Sequence, residues 1–201
     1  MTEKTKLTLS DKELSLVMDV NWILTKQSII EKVYAMLALQ PAIIKERILN
    51  QRNLPAAVAF SVPKIYRGEH YLQLPYVILD YPRCFGKDDI FAIRTMFWWG
   101  HFFSITIHAA GSYKLYLKNA VHELNESIAD DLFIGINEDQ WQHHFQEENY
   151  MPYSKLSQNE RVALFEKNNF IKLAIKFNLD QWNDIPSLLK KGYERIAMLL
   201  D

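Results

Sequence analysis

Six polar side chains in the middle of the chain, Arg83, Lys87, Arg94, Thr95, Thr106 and His108, are of types that bind anions or move protons, and they lie in a stretch dominated by aromatic and large aliphatic residues. Arg83-Cys84-Phe85-Gly86-Lys87-Asp88-Asp89 joins two expected strands, a place where loops commonly carry function. Arg83 and Lys87 could grip an anionic group while Gly86 lets backbone amides approach it. Cys84 would gain nucleophilicity if that cationic setting lowered its pKa, and the alternative is an ordinary polar turn. Arg94 falls within an apolar run, and an unpaired buried guanidinium is very costly, so it must find a carboxylate, a carbonyl array or a ligand. Asp80, Asp88 and Asp89 are its candidate partners. His108, near Thr95 and Thr106, is either a hydrogen-bonded sheet histidine or part of a site.

A second group lies further on. Val121-His122-Glu123-Leu124-Asn125-Glu126 resembles the HExxH zinc-hydrolase helix with Glu126 in place of the second His. Four-residue spacing puts His122 and Glu126 on one helix face, Glu123 would be the general base, and His143, His144 or Glu147 is a candidate third ligand. Against this, a helical wheel points His122 and Glu126 about 140° and 180° away from Leu117, while Val121, Leu124 and Ile128 cluster within ~40° of it, so the pair faces solvent. From Asn119 to Ser154 there is no Lys or Arg but there are eight acidic residues and three His. Such a field suits a cation or a basic partner, unless its balance lies elsewhere in the fold.

The elements that must position these residues follow from pattern. Ser10-Asp11-Lys12-Glu13 and Ser157-Gln158-Asn159-Glu160 have capping-box spacing and predict helix starts. A first helix runs to about Leu24, Thr25 caps a second, and Pro41 kinks or restarts the helix towards Leu49. Strands are expected at 58–62, 71–81 and, most strongly, 90–110. Gly100-His101 fits a two-residue hairpin turn, which would pair Trp99 with Phe102. That register puts Arg94 with Met96, Trp98, Phe103, Ile105 and Ile107, and puts Thr95, Thr106 and His108 on the opposite face. A helix at 115–131, short strands at 132–136 and 140–145, and a C-terminal helical hairpin complete the reading, with Val162, Phe165, Leu173 and Phe177 facing inward.

Helices, then strands, then helices argue for an α+β fold, an antiparallel sheet in the middle of the chain packed by N-terminal and C-terminal helices. The expectation is one domain over 1–201, helical at 10–50, β-rich at 56–111, mixed at 112–150 and an αα-hairpin at 155–201. Lys plus Arg at 23 against Asp plus Glu at 24 leaves no basic field for nucleic acid, and no run approaches the ~20 apolar residues of a membrane span. A single cysteine agrees with a cytoplasmic location. No glycine-rich phosphate loop is present and no cofactor is indicated. The reading that follows is a non-catalytic binding or protein-interaction domain with a site near the central hairpin and a small ligand or protein as partner. The alternatives are a metal-dependent hydrolase built on the 122–126 helix and a structural assembly subunit.

Overall fold

Both Ser-x-x-Glu patterns start helices. In the computed structural model, which describes residues 7–50, 52–122, 124 and 129–200, Ser10 and Glu13 form a reciprocal capping box at α1 (Asp11–Met18). The chain breaks at Asp19, whose carboxylate accepts the Trp22 amide at 3.1 Å and so caps α2 (Val20–Ala38), a role the sequence had suggested for Thr25. α3 (Gln40–Ile44) opens on Pro41 and runs into a π-helical turn, Lys45–Leu49. No strand forms at 58–62: its first two residues end a helical turn, α4 (Ala56–Ala59), launched after Pro55, and 61–62 has no regular structure.

Seven strands follow: β1 (Lys64–Tyr71), β2 (Leu74–Phe85), β3 (Ile90–Trp98), β4 (Phe102–Ala110), β5 (Leu132–Gly135), β6 (Tyr150–Pro152) and β7 (Phe170–Asn178). They form one sheet in the order β1-β2-β3-β4-β7-β5-β6, every neighbouring pair antiparallel. A 3₁₀ segment (Gly111–Leu117) and α5 (Lys118–His122) stand where one longer helix was expected, and Glu123, Glu126 and Ile128 lie outside the described residues. Residues 136–149, expected to include a strand, are irregular. α6 (Gln158–Lys167) has the second capping box, and α7 (Ile185–Met198) closes the fold.

The fold class is therefore α+β, an antiparallel sheet with helices at both ends of the chain. Its one large departure from the pattern is the C-terminal hairpin, because 170–178 is a strand inside the sheet, between β4 and β5. Leu173 and Phe177 are four apart, a spacing that fits both a helical turn and two strand repeats. Ile171, Leu173, Ile175 and Phe177 line one face of β7 while Lys172 and Lys176 alternate with them.

The hairpin turn also differs by one residue. Trp98, not Trp99, pairs with Phe102, leaving Trp99-Gly100-His101 as a three-residue loop closed by His101 N–H to the Trp98 carbonyl at 3.1 Å. Gly100 takes φ +74° as third residue of that turn, the left-handed site that glycine fills without a Cβ penalty. Because side chains alternate with period two, the shift moves the whole of β4 to the other side relative to β3. Phe91, Ile93, Thr95 and Phe97 now share a face with Phe103, Ile105, Ile107 and Ala109; Arg94 shares the other with Thr106 and His108.

The first of these faces is covered by helices. Ile30, Val33 and Leu37 of α2, with Leu189, Tyr193 and Ile196 of α7, pack on it in one continuous core. Burying each such side chain contributes about 1.5–3 kcal/mol. The second face lies under residues 136–149. Among the described residues no helix is long and apolar enough to cross a membrane.

Candidate functional site

The second face carries polar rows across its strands. Asp80, Arg94, Thr106 and Ala174 stand side by side on β2, β3, β4 and β7, and Ala92, His108 and Lys172 form the next row. A β-bulge between Asp80 and Arg83 absorbs the mismatch at that end of β2. Towards the hairpin loop the same face turns apolar, with Ile78, Met96, Trp98 and Phe102 clustered together.

Arg94 answers the cost of its burial first. Its Nε and Nη2 donate to the two Asp80 carboxylate oxygens at 2.8 and 2.9 Å, Nη2 also donates to Tyr66 Oη at 3.0 Å, and Nη1 donates to His143 Nε2 at 2.6 Å. The Asp80 side chain is 3% exposed and that of Arg94 11%, so this is a buried bidentate pair. A guanidinium can only donate, so His143 Nε2 must be the unprotonated nitrogen and Nδ1 holds the ring's hydrogen. His143 is accordingly held well below the ordinary histidine range, by burial and then by Arg94.

Lys172 is different. It is 1% exposed, and its ammonium donates to the carbonyls of Gln140 (3.2 Å) and Gln142 and lies 4.9 Å above the centre of the Tyr150 ring. No carboxylate pairs with it among the described residues. Burial, reinforced by Arg94 and opposed by Asp139, pulls its pKa down to about 7. His108, 5% exposed, donates from Nε2 to Gln140 Oε1 at 3.0 Å and is pushed down to about 3 by burial and then by Lys172. Tyr150, whose hydroxyl burial pushes up, lies beside Thr106.

These groups enclose a cavity of about 10 Å³ lined by Phe85, Ala92, Arg94, Thr106, His108, His143 and Lys172. That is room for about one water. Residues 136–149 roof it. Tyr71 Oη accepts the His143 and His144 amides at 2.6 and 3.0 Å, and Phe145 inserts between Phe102, Phe133 and Tyr150 with ring centroids 5.0, 5.0 and 4.6 Å away. At the mouth, Trp141 leans on His108 and on Phe85, itself 40% exposed.

Of the six residues singled out first, Arg94, Thr106 and His108 meet here. Thr95 is on the helical face, its hydroxyl 2.6 Å from Tyr193 Oη. Arg83 reaches away to the Val62 carbonyl at 3.1 Å, and Lys87 is exposed. Cys84 packs against the helical core with Tyr113 Oη 3.9 Å from its sulfur. His122 stacks edge-on against Phe165, and Glu126 lies outside the described residues. No group of three His, Cys, Asp or Glu among the described residues could hold a metal, and His143 serves Arg94 instead. The acidic stretch finds its balance in C-terminal cations, Arg195 on Asp131 at 2.8 Å and Lys167 on Glu138 at 3.2 Å. Lys172 and Tyr66 were missed by sequence reasoning. The signal for Lys172 was present as the alternation of 170–177, masked by its helix-compatible spacing.

No protein-family model matches the chain, and neither a curated protein nor a solved structure matches it.

Proposed function

We propose that the chain is a non-catalytic binding domain of the cytoplasm that receives the anionic end of a small ligand between Lys172, Arg94, Thr106 and His108. One observation carries this reading: two buried cations face one cavity, and among the described residues only Arg94 is paired with a carboxylate. Arg94 with Asp80 is electrically balanced, so Lys172 supplies the surplus charge, and an entering carboxylate would complete it. The cavity's size favours a small group, and a ligand larger than water enters by parting Phe85 from Trp141. Formate is the probe. Titrated at pH 6, where Lys172 is protonated, it is expected to bind by calorimetry and raise the melting temperature of the full chain, and both effects should vanish in Lys172→Met. Formate that neither binds nor stabilises the wild-type protein would overturn the reading.

Assembly through the N-terminal helices is a second reading with an observation of its own. α1 buries none of its side chains, and Leu14, Val17, Met18, Val20, Ile23 and Leu24 are all exposed. An apolar surface of this kind marks contact sites. Sedimentation of the wild-type chain as an oligomer and of Val17→Glu as a monomer is the expected result; a monomeric wild-type chain removes this reading.

A further inference from the structure

We propose that Lys172 is the reactive group of the pocket and that the ligand is a small 2-oxo acid, held as an imine on Lys172 Nζ with its carboxylate against Arg94. This rests on the anion-binding reading above and narrows it to one chemical class.

The amine is built into the interior of the sheet. Lys172 sits on β7, and its stem passes Gly135, where an added Cβ would come within 3.2 Å of Lys172 Cβ. The missing side chain at 135 leaves the stem its path towards the roof. At the roof, Nζ meets the carbonyls of Gln140 and Gln142, which solvate an amine without fixing its charge as a carboxylate would. With its pKa drawn down to about 7 by burial and by Arg94, a large share of Lys172 is free amine at neutral pH. A desolvated lysine beside a second cation is the setting in which an amine becomes a nucleophile.

The neighbours match the other half of such a ligand. Among the described residues four of the five Arg94 N–H groups are engaged by Asp80, Tyr66 and His143, which leaves one Nη1 hydrogen for a carboxylate oxygen. Thr106, its neighbour on the next strand, stands beside it on the cavity wall. A simple anion would be served by cations alone; a free amine next to a carboxylate-binding guanidinium suits a carbonyl and a carboxylate on adjacent carbons. With room for about one water, the closed cavity admits even the smallest member of the class only after Phe85 parts from Trp141, which restricts the class to its smallest members.

The step balances without a redox partner. The Nζ lone pair forms a bond to the carbonyl carbon, and the C=O π pair moves onto oxygen, which takes up a proton. The proton released from Nζ is the one the oxygen takes up, carried across by the single water the cavity has room for. The carbinolamine then loses water, the C–O bond breaking as the C=N bond forms.

Glyoxylate is the probe. The full chain incubated with glyoxylate and cyanoborohydride at pH 7 should gain one reduced adduct per chain, mapped by peptide mass spectrometry to Lys172 and lost in Lys172→Arg. Mapping on the wild-type chain needs no variant, so a poorly folded variant does not spoil the test. No adduct, or adducts spread over exposed lysines such as Lys12 and Lys87 with Lys172 unmodified, would overturn the imine. The formate titration separates the two claims: formate binding without an adduct overturns the imine alone, and failure of both overturns the anion site as well.

Discussion

Two faces of the same hairpin bury their side chains almost equally and differ in the charge they hold: the helical face of the hairpin carries none, while the roofed face carries Arg94, paired with Asp80, beside the buried Lys172. On the helical face the buried Thr95 hydroxyl has one well-placed partner, Tyr193 Oη at 2.6 Å, in an otherwise apolar layer. On the roofed face, among the described residues, Lys172 has carbonyls but no paired carboxylate, and Asn149 Oδ1 has no hydrogen-bond partner. Buried polar groups left short of partners are uncommon in folded proteins and need a reason. A layer built only for stability would resemble the first face; departures from local consistency gather where function is.

The contrast can be tested from its strongest point downwards. Asp80→Ala strips Arg94 of its carboxylate and should cost about 3–5 kcal/mol in denaturant unfolding. A loss below ~1 kcal/mol would mean that water reaches Arg94 freely and that the roof is open. Acid should act on the roofed face next. His108 is neutral in the fold down to about 3 but takes up its proton near 6.5 when unfolded, so the unfolded chain binds more protons between those values. Stability from this group is complete above pH 6.5 and drains as pH falls towards 3, at up to about 1.4 kcal/mol per pH unit. His108→Gln should flatten that part of the stability–pH curve, and an unchanged slope would place the titration elsewhere. Tyr193→Phe, on the helical face, removes the partner of Thr95 and should cost about 1–3 kcal/mol without altering formate binding. Loss of binding there would show that the two faces are coupled. Lys87→Ala, on the exposed loop, should stay within about 0.5 kcal/mol.

The hairpin strands, their neighbours and the antiparallel α+β arrangement were legible because β-branched and aromatic runs, prolines and capping boxes are local signals. Asp80 was legible as a partner of Arg94 because a buried guanidinium demands a carboxylate. The site as a whole was not. A two-residue turn at Gly100-His101 separates Arg94 from Thr106 and His108, and the three-residue turn reunites them, so a single position in the loop decides whether a pocket exists. Lys172 was hidden by the coincidence that positions four apart serve a helix and a strand alike, and it reaches Arg94 only through a pairing of β4 with β7 that spans most of the second half of the chain. His143 arrives on an irregular segment with no periodicity to place it.

Among the described residues Lys172 is a buried amine with no carboxylate paired to it, and the proposed anion site stands or falls with its titration. A ¹³C or ¹⁵N NMR titration of the Lys172 side chain, assigned by its absence in Lys172→Met and repeated with formate, tests it most directly. An inflection near 7 that moves upward when formate is added is the expected result, because a bound anion favours the charged amine. An inflection at the ordinary alkaline lysine value, unmoved by formate, would contradict it.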